Sequence, residues 1–153
     1  MALVFLAFVL VGAWLPTRLM VATTDSLEHR VFFLGGKTTK NALGDYLVFR
    51  LEDLSRAQQG GEAGKNRLVK QVGCYEGQTL RVDAARNFFC DGRLLGQALE
   101  FDSRGEPLPL FIPDGPVPLG KLFMIGSHPR SYDSKYFGYV DADEILFKAY
   151  PLW

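Results

Sequence analysis

Short runs of β-branched, aromatic and leucine residues, each closed off by glycine, aspartate, asparagine or proline, recur along this chain and confine it to a β-rich fold. The runs are Arg30-Val-Phe-Phe-Leu34, Tyr46-Leu-Val-Phe-Arg-Leu51, Leu68-Val-Lys-Gln-Val72, Thr79-Leu-Arg-Val82, Asn87-Phe-Phe-Cys90, Leu122-Phe-Met-Ile125 and Glu144-Ile-Leu-Phe-Lys-Ala149. Residues of these types fit a pleated, half-buried surface. Cys90-Asp-Gly-Arg93 carries the Asp-Gly signal of a tight hairpin turn. Five of the eight prolines fall between Ser103 and Gly120, so that region reads as an extended loop over the sheet rather than a central strand. No long segment repeats every 3.6 residues; Glu52 to Ala57 has room for one helical turn before Gln59-Gly-Gly-Glu-Ala-Gly64.

At the N-terminal end the pattern is different. Ala2 to Pro16 contains no charge, and after Thr17-Arg18 the apolar character resumes as Leu19-Met-Val-Ala22. Roughly 20 apolar residues span a bilayer, so residues 1–22 read as a membrane anchor, a transmembrane helix, and residues 23–153 as one domain. A cleaved signal peptide is the competing reading. The stretch before the apolar run has no Lys or Arg, and Ala22-Thr-Thr is a poor cleavage signal, which favours the uncleaved anchor. Arg18, Arg30 and Lys37 all follow the segment, and taken alone that bias would leave the domain in the cytoplasm.

With 17 basic and 17 acidic residues the chain shows no electrostatic footprint for nucleic acid. Its two cysteines, Cys74 and Cys90, fit neither a zinc ligand pair nor a redox CxxC motif. They are either two buried thiols or, in an oxidising compartment, a disulfide. A bridge would close a loop of about 15 residues and add on the order of 3 kcal/mol.

Three pieces of sequence carry candidate chemistry. Lys70 stands among Leu68, Val69 and Val72, and a lysine sunk in an apolar strand loses its proton easily because burial penalises the ammonium. The bland alternative is a lysine at a strand edge that snorkels to water. Ser26 follows the hydrophobic segment, within reach of a peptide leaving a bilayer, or else belongs to a solvated linker or helix cap. Between Gly126 and Gly138, small, acidic and basic residues crowd together with aromatics and no periodicity, which reads as a site. Asp133 and Lys135 would share a face of a strand there, or form a plain surface ion pair worth little. His128 beside Ser127 offers the one rival nucleophile-base pair.

Thr24-Asp-Ser-Leu27, Lys70 and Pro129-Arg-Ser-Tyr-Asp-Ser-Lys-Tyr-Phe-Gly138 together resemble the serine-lysine peptidases of the signal peptidase I superfamily, and within it the TraF-type conjugal-transfer branch. The resemblance implies a mainly β, signal-peptidase-like catalytic domain behind an N-terminal transmembrane helix. It places Ser26 as nucleophile and Lys70 as general base. Thr24 and the backbone N–H of Ser26 would form the oxyanion hole, and Ser131, Asp133 and Lys135 would hold the lysine and order the site. Two departures separate the chain from general secretory signal peptidases. Leu27-Glu-His29 stands where those have Met-x-Pro, and Gly126-Ser-His-Pro-Arg130 where they have Gly-Asp-Asn-Arg-Asp; the TraF branch itself usually has proline at the place of Glu28.

What the resemblance implies in function is a peptidase anchored in the bacterial inner membrane with its catalytic domain on the periplasmic side. Its partners would be the lipid bilayer and a pilin or other small membrane-tethered precursor, cut after Ala-like residues and in some cases cyclised, with no metal or cofactor. A substrate bound as an added strand is expected along Arg30 to Leu34, facing the Lys70 strand. A protein of another class fits too, a non-catalytic pilus or secretion-system assembly factor that keeps the fold; the presence of both Ser26 and Lys70 argues against it.

Overall fold

Ten strands, one α-helical turn and two 3-10 turns are found among the described residues, 15–24, 26–38, 40–51, 67–113 and 115–153, of a computed structural model. A 3-10 turn, Leu15–Arg18, leads into β1 (Leu19–Val21) and β2 (Val31–Leu34), followed by β3 (Tyr46–Arg50) and the long β4 (Arg67–Tyr75). Next come β5 (Leu80–Val82), β6 (Asn87–Cys90), β7 (Arg93–Gln97) and β8 (Lys121–Ile125). The helical turn α1 (Ser134–Phe137), β9 (Val140–Asp141), a second 3-10 turn (Ala142–Glu144) and β10 (Ile145–Pro151) complete the order. Seven strands pair antiparallel as β1-β2-β10-β3-β4-β8-β9, and β5-β6-β7 form a small second sheet. The fold is mainly β. The segment Glu52–Ala57 lies outside the described residues.

Three apolar clusters hold these layers together. Phe32, Leu34, Val48, Val69, Ala149 and Leu27 fill one face of the large sheet. Leu47, Phe49, Val72, Met124 and Ile145 fill the other. Cys74, Phe88, Cys90, Phe123 and Ile125 join the small sheet to the large one, with Phe88 and Phe123 stacked at a centroid distance of 5.3 Å. At the tip of the β6-β7 hairpin Asp91 and Gly92 take positive φ, 47° and 81°, as a tight primed turn requires.

A bulge in β4 decides which cluster each residue enters. Val72 pairs with Met124 and Cys74 with Phe123, so Gly73 is the extra residue. In an unbroken strand residues 72 and 74 would share a face. Here Val72 enters one cluster and Cys74 another, where it meets Cys90. Lys70, paired with Leu47, keeps the parity of Val72.

Two expectations change. No helix among the described residues is long and apolar enough to cross a membrane; the expected anchor lies largely outside them, and its last part, Leu19–Val21, is strand β1. The expected substrate edge on Arg30–Leu34 is closed, because β2 is flanked by β1 on one side and β10 on the other. It does not face the Lys70 strand, since β10 and β3 stand between them. An open edge lies elsewhere. β4 pairs with β3 from Arg67 onward, whereas its pairing with β8 starts only at Gln71. Among the described strands none covers the other side of Arg67–Lys70.

Candidate active site

Lys70 reaches the site from β4, and the residue is only 3% exposed. Its Nζ donates to Ser131 Oγ at 2.8 Å. Desolvation pushes its pKa down to about 8, against the pull of Asp133, which favours the charged form; Lys135 opposes the charge as well. A neutral amine has two N–H donors and one lone pair. With one N–H spent on Ser131, the lone pair is oriented and available.

Ser131 owes its place to the loop between β8 and α1. Asp133 caps the first turn of α1, its Oδ1 accepting from Lys135 N at 3.1 Å. Its Oδ2 accepts from Gly126 N at 2.9 Å and from Lys135 Nζ at 2.6 Å. Ser134 Oγ accepts from Met124 N at 2.9 Å. One carboxylate and one hydroxyl thus tie both ends of the loop to β8. The expectation of a strand face or a surface pair at Asp133 and Lys135 is corrected here: the pair folds back across a helix cap, with side chains 0% and 3% exposed. Burial follows from the cap, which turns the aspartate inward toward the Gly126 amide.

Ser26 arrives on the β1-β2 connection. The Ala22 N–H donates to the Arg30 carbonyl at 2.8 Å, closing that connection into a loop. The hydroxyls of Ser26 and Thr24 share a hydrogen bond of 2.8 Å. The Ser26 carbonyl accepts from His128 N at 3.3 Å. A Cβ placed on Gly126 would lie 2.0 Å from Ser131 Oγ and 2.5 Å from the Ser26 carbonyl oxygen. The serine backbone and the hydroxyl that holds Lys70 therefore meet at one point, which only glycine leaves open. In the sequence Gly126 stands only as one end of the Gly126–Gly138 stretch; its use is a close approach.

The rival pair is not assembled. His128 Nδ1 accepts from Arg130 N at 3.1 Å and the residue is exposed, as is Ser127. His29 packs edge-on against Phe32 and Tyr46. Cys74 and Cys90 form a disulfide with a Cα separation of 5.7 Å. Sequence reasoning missed the part played by Ser134 and the bulge at Gly73. A lone glycine inside a strand pattern was the available signal for the bulge.

The model of the family described as signal peptidase, peptidase S26, matches the chain over residues 1–153. Among curated proteins, none matches the sequence.

Proposed function

The chain belongs to the peptidase S26 signal peptidase family, whose members are serine peptidases, and on that premise we propose a membrane-anchored serine endopeptidase of the TraF type that matures a pilin or similar small precursor. One observation carries the reading: a buried lysine of lowered pKa and a serine backbone converge on Gly126 through Ser131. Ser26 Oγ attacks the scissile carbonyl carbon while Lys70 takes its proton. Charge collects on the carbonyl oxygen, where the Ser26 N–H and the Thr24 hydroxyl, released from its bond to Ser26, stabilise it. Collapse breaks the C–N bond, and the Lys70 ammonium returns its proton to the leaving amine. The remaining ester is opened by water, giving a linear product, or by an amine at the other end of the same peptide, giving a ring.

The open edge of β4 at Arg67–Lys70 suits an extended substrate, since main-chain pairing there would hold a peptide alongside the strand that carries the general base. Two features support the placement at a membrane. Leu19, Val21, Val31, Phe33 and Tyr150 share one sheet face by register, and with Val21 62% exposed and the neighbouring Leu152 and Trp153 58% and 84% exposed it is an uncovered apolar surface. In sequence this face follows directly on the uncharged stretch Ala2–Pro16. The disulfide supports the periplasmic side, because such bonds persist in oxidising compartments.

The test is mass spectrometry of a candidate pilin from cells carrying the wild-type chain, Ser26→Ala or Lys70→Ala. Mature pilin with wild type and unprocessed precursor with either variant is the expected result, and a product short by one water identifies the ring. Full processing by Ser26→Ala sinks the proposal.

A further inference from the structure

Two links fasten the Cys90–Arg93 turn to consecutive residues of the β4 bulge. Cys90 is bonded to Cys74, and the Arg93 guanidinium donates through Nη2 to the Gly73 carbonyl at 2.9 Å. Gly73 is buried, and a Cβ there would press on the Ile125 side chain at 3.0 Å. The bulge is thus confined to this position by the space Gly73 occupies, by a covalent bond to its neighbour and by a charged donor on its carbonyl.

We infer that the Cys90–Arg93 turn is a clamp on the lysine strand, and that Arg93 is a positioning residue for the peptidase reaction, acting through Gly73 on Lys70. The inference rests on the serine-lysine reading above. Side chains alternate along a strand, so moving an irregularity by one residue turns every residue it passes to the opposite face. Lys70 lies three residues from the bulge, and its parity with Val72 and Leu47 aims it away from the cluster that holds Cys74. A bulge free to migrate would tilt Nζ off Ser131 or admit water beside it. Displacement of about 1 Å at a reacting group is enough to cost on the order of a hundredfold in rate. Arg93 touches neither Ser26 nor Lys70, and the charged groups that act on Lys70, Asp133 and Lys135, belong to a different loop. Its effect is therefore mechanical.

The experiment uses the full chain in detergent micelles with ¹³Cε-labelled lysine, so that the Lys70 titration is read by NMR independently of activity. Arg93→Ala is compared with wild type and with Arg93→Lys, whose ammonium keeps a donor for the Gly73 carbonyl. The expected result is a Lys70 midpoint raised by about one unit in Arg93→Ala, which leaves roughly a tenth of the neutral amine at pH 7. Cleavage of a tethered pilin precursor should show the loss in kcat with KM little changed, and Arg93→Lys should recover most of both. A Lys70 midpoint in Arg93→Ala equal to wild type overturns the clamp, even if the melting temperature falls. Failure of the peptidase reading is a separate result: it is seen as undiminished cleavage by Lys70→Arg, and it leaves the NMR comparison to decide the clamp.

Discussion

Lys70 Nζ and Ser131 Oγ are joined by a 2.8 Å hydrogen bond between two side chains almost wholly removed from solvent. Because Ser131 can accept while keeping its own proton for another partner, it holds the amine without charging it. Ser131→Ala should lower kcat by roughly ten- to a hundredfold with KM little affected, less than the roughly hundred- to ten-thousandfold that a positioned general base contributes, because Lys70 itself remains. In the wild type kcat/KM should rise with pH and level off above about 8, where Lys70 has lost its proton. Lys70→Arg should be inactive, since guanidinium stays protonated. A flat pH profile with chemistry limiting would refute the role of Lys70.

The same lysine should weaken the fold. Its pKa falls from 10.5 to about 8 on folding, which amounts to about 3 kcal/mol against the native state wherever the unfolded chain is protonated. The sign is fixed by proton counts. Below pH 8 both states hold the proton and the cost is full; between 8 and 10.5 the unfolded state binds more protons, so stability rises with pH. Lys70→Met should therefore abolish activity yet raise stability at pH 7 by on the order of 2 kcal/mol, part of the gain being lost with the Ser131 bond. Urea melts from pH 6 to 10 should show the two proteins converging as pH climbs.

Asp133 and Lys135 form the buried ion pair of the site. Removing one partner leaves a charge in a dry place, and such changes cost about 3–5 kcal/mol. Asp133→Ala and Lys135→Ala should each lower the urea midpoint sharply. The double variant Asp133→Asn with Lys135→Met keeps the shape without the charges and should lose less than either. A double variant as unstable as the sum of the two single variants would show that the pair is not coupled.

Gly126→Ala places a methyl where Ser131 and the Ser26 carbonyl already lie. Activity should drop by two orders of magnitude or more, in line with the cost of about 1 Å of misplacement at a reacting group. Gly36→Ala is the control, because its added methyl meets nothing within 4 Å. Equal activity in the two variants would remove Gly126 from the site.

The apolar face is testable without any substrate. Val21→Asp combined with Trp153→Asp leaves the buried clusters untouched and should reduce flotation of the 15–153 fragment, which keeps β1, with anionic vesicles, provided that circular dichroism shows this fragment folded. Undiminished flotation would mean that the face does not meet lipid.

The local pattern of the sequence was enough to place most strands and to single out Gly126–Gly138, because alternation and glycine spacing are local properties. Tyr46–Arg50 and Asn87–Cys90 fall where their residue types predict. What failed was partnership. Leu19–Val21 reads as the tail of an apolar segment, and becomes a strand only because Val31–Leu34 lies beside it. Arg30–Leu34 looked like an open edge because nothing local announces that β10, more than a hundred residues later, takes that place. Asp133 and Lys135 read as neighbours on a strand; the cap that brings them together depends on the Gly126 amide from β8. Val72-Gly73-Cys74 contains the bulge and Gly73 marks it, but two of the contacts that hold it, the bond to Cys90 and the Arg93 donor, come from outside the run.

The place of β10 between β2 and β3 has a consequence for the life of the molecule. Ser26 and Lys70 are made well before β10, the strand that bridges their two hairpins. Until residues 145–151 have been made, no strand joins the β1-β2 hairpin to the β3-β4 hairpin. Pairing across so long a separation is slow. On the serine-lysine reading, Ser26 and Lys70 are therefore held in one sheet only once β10 has paired with both hairpins.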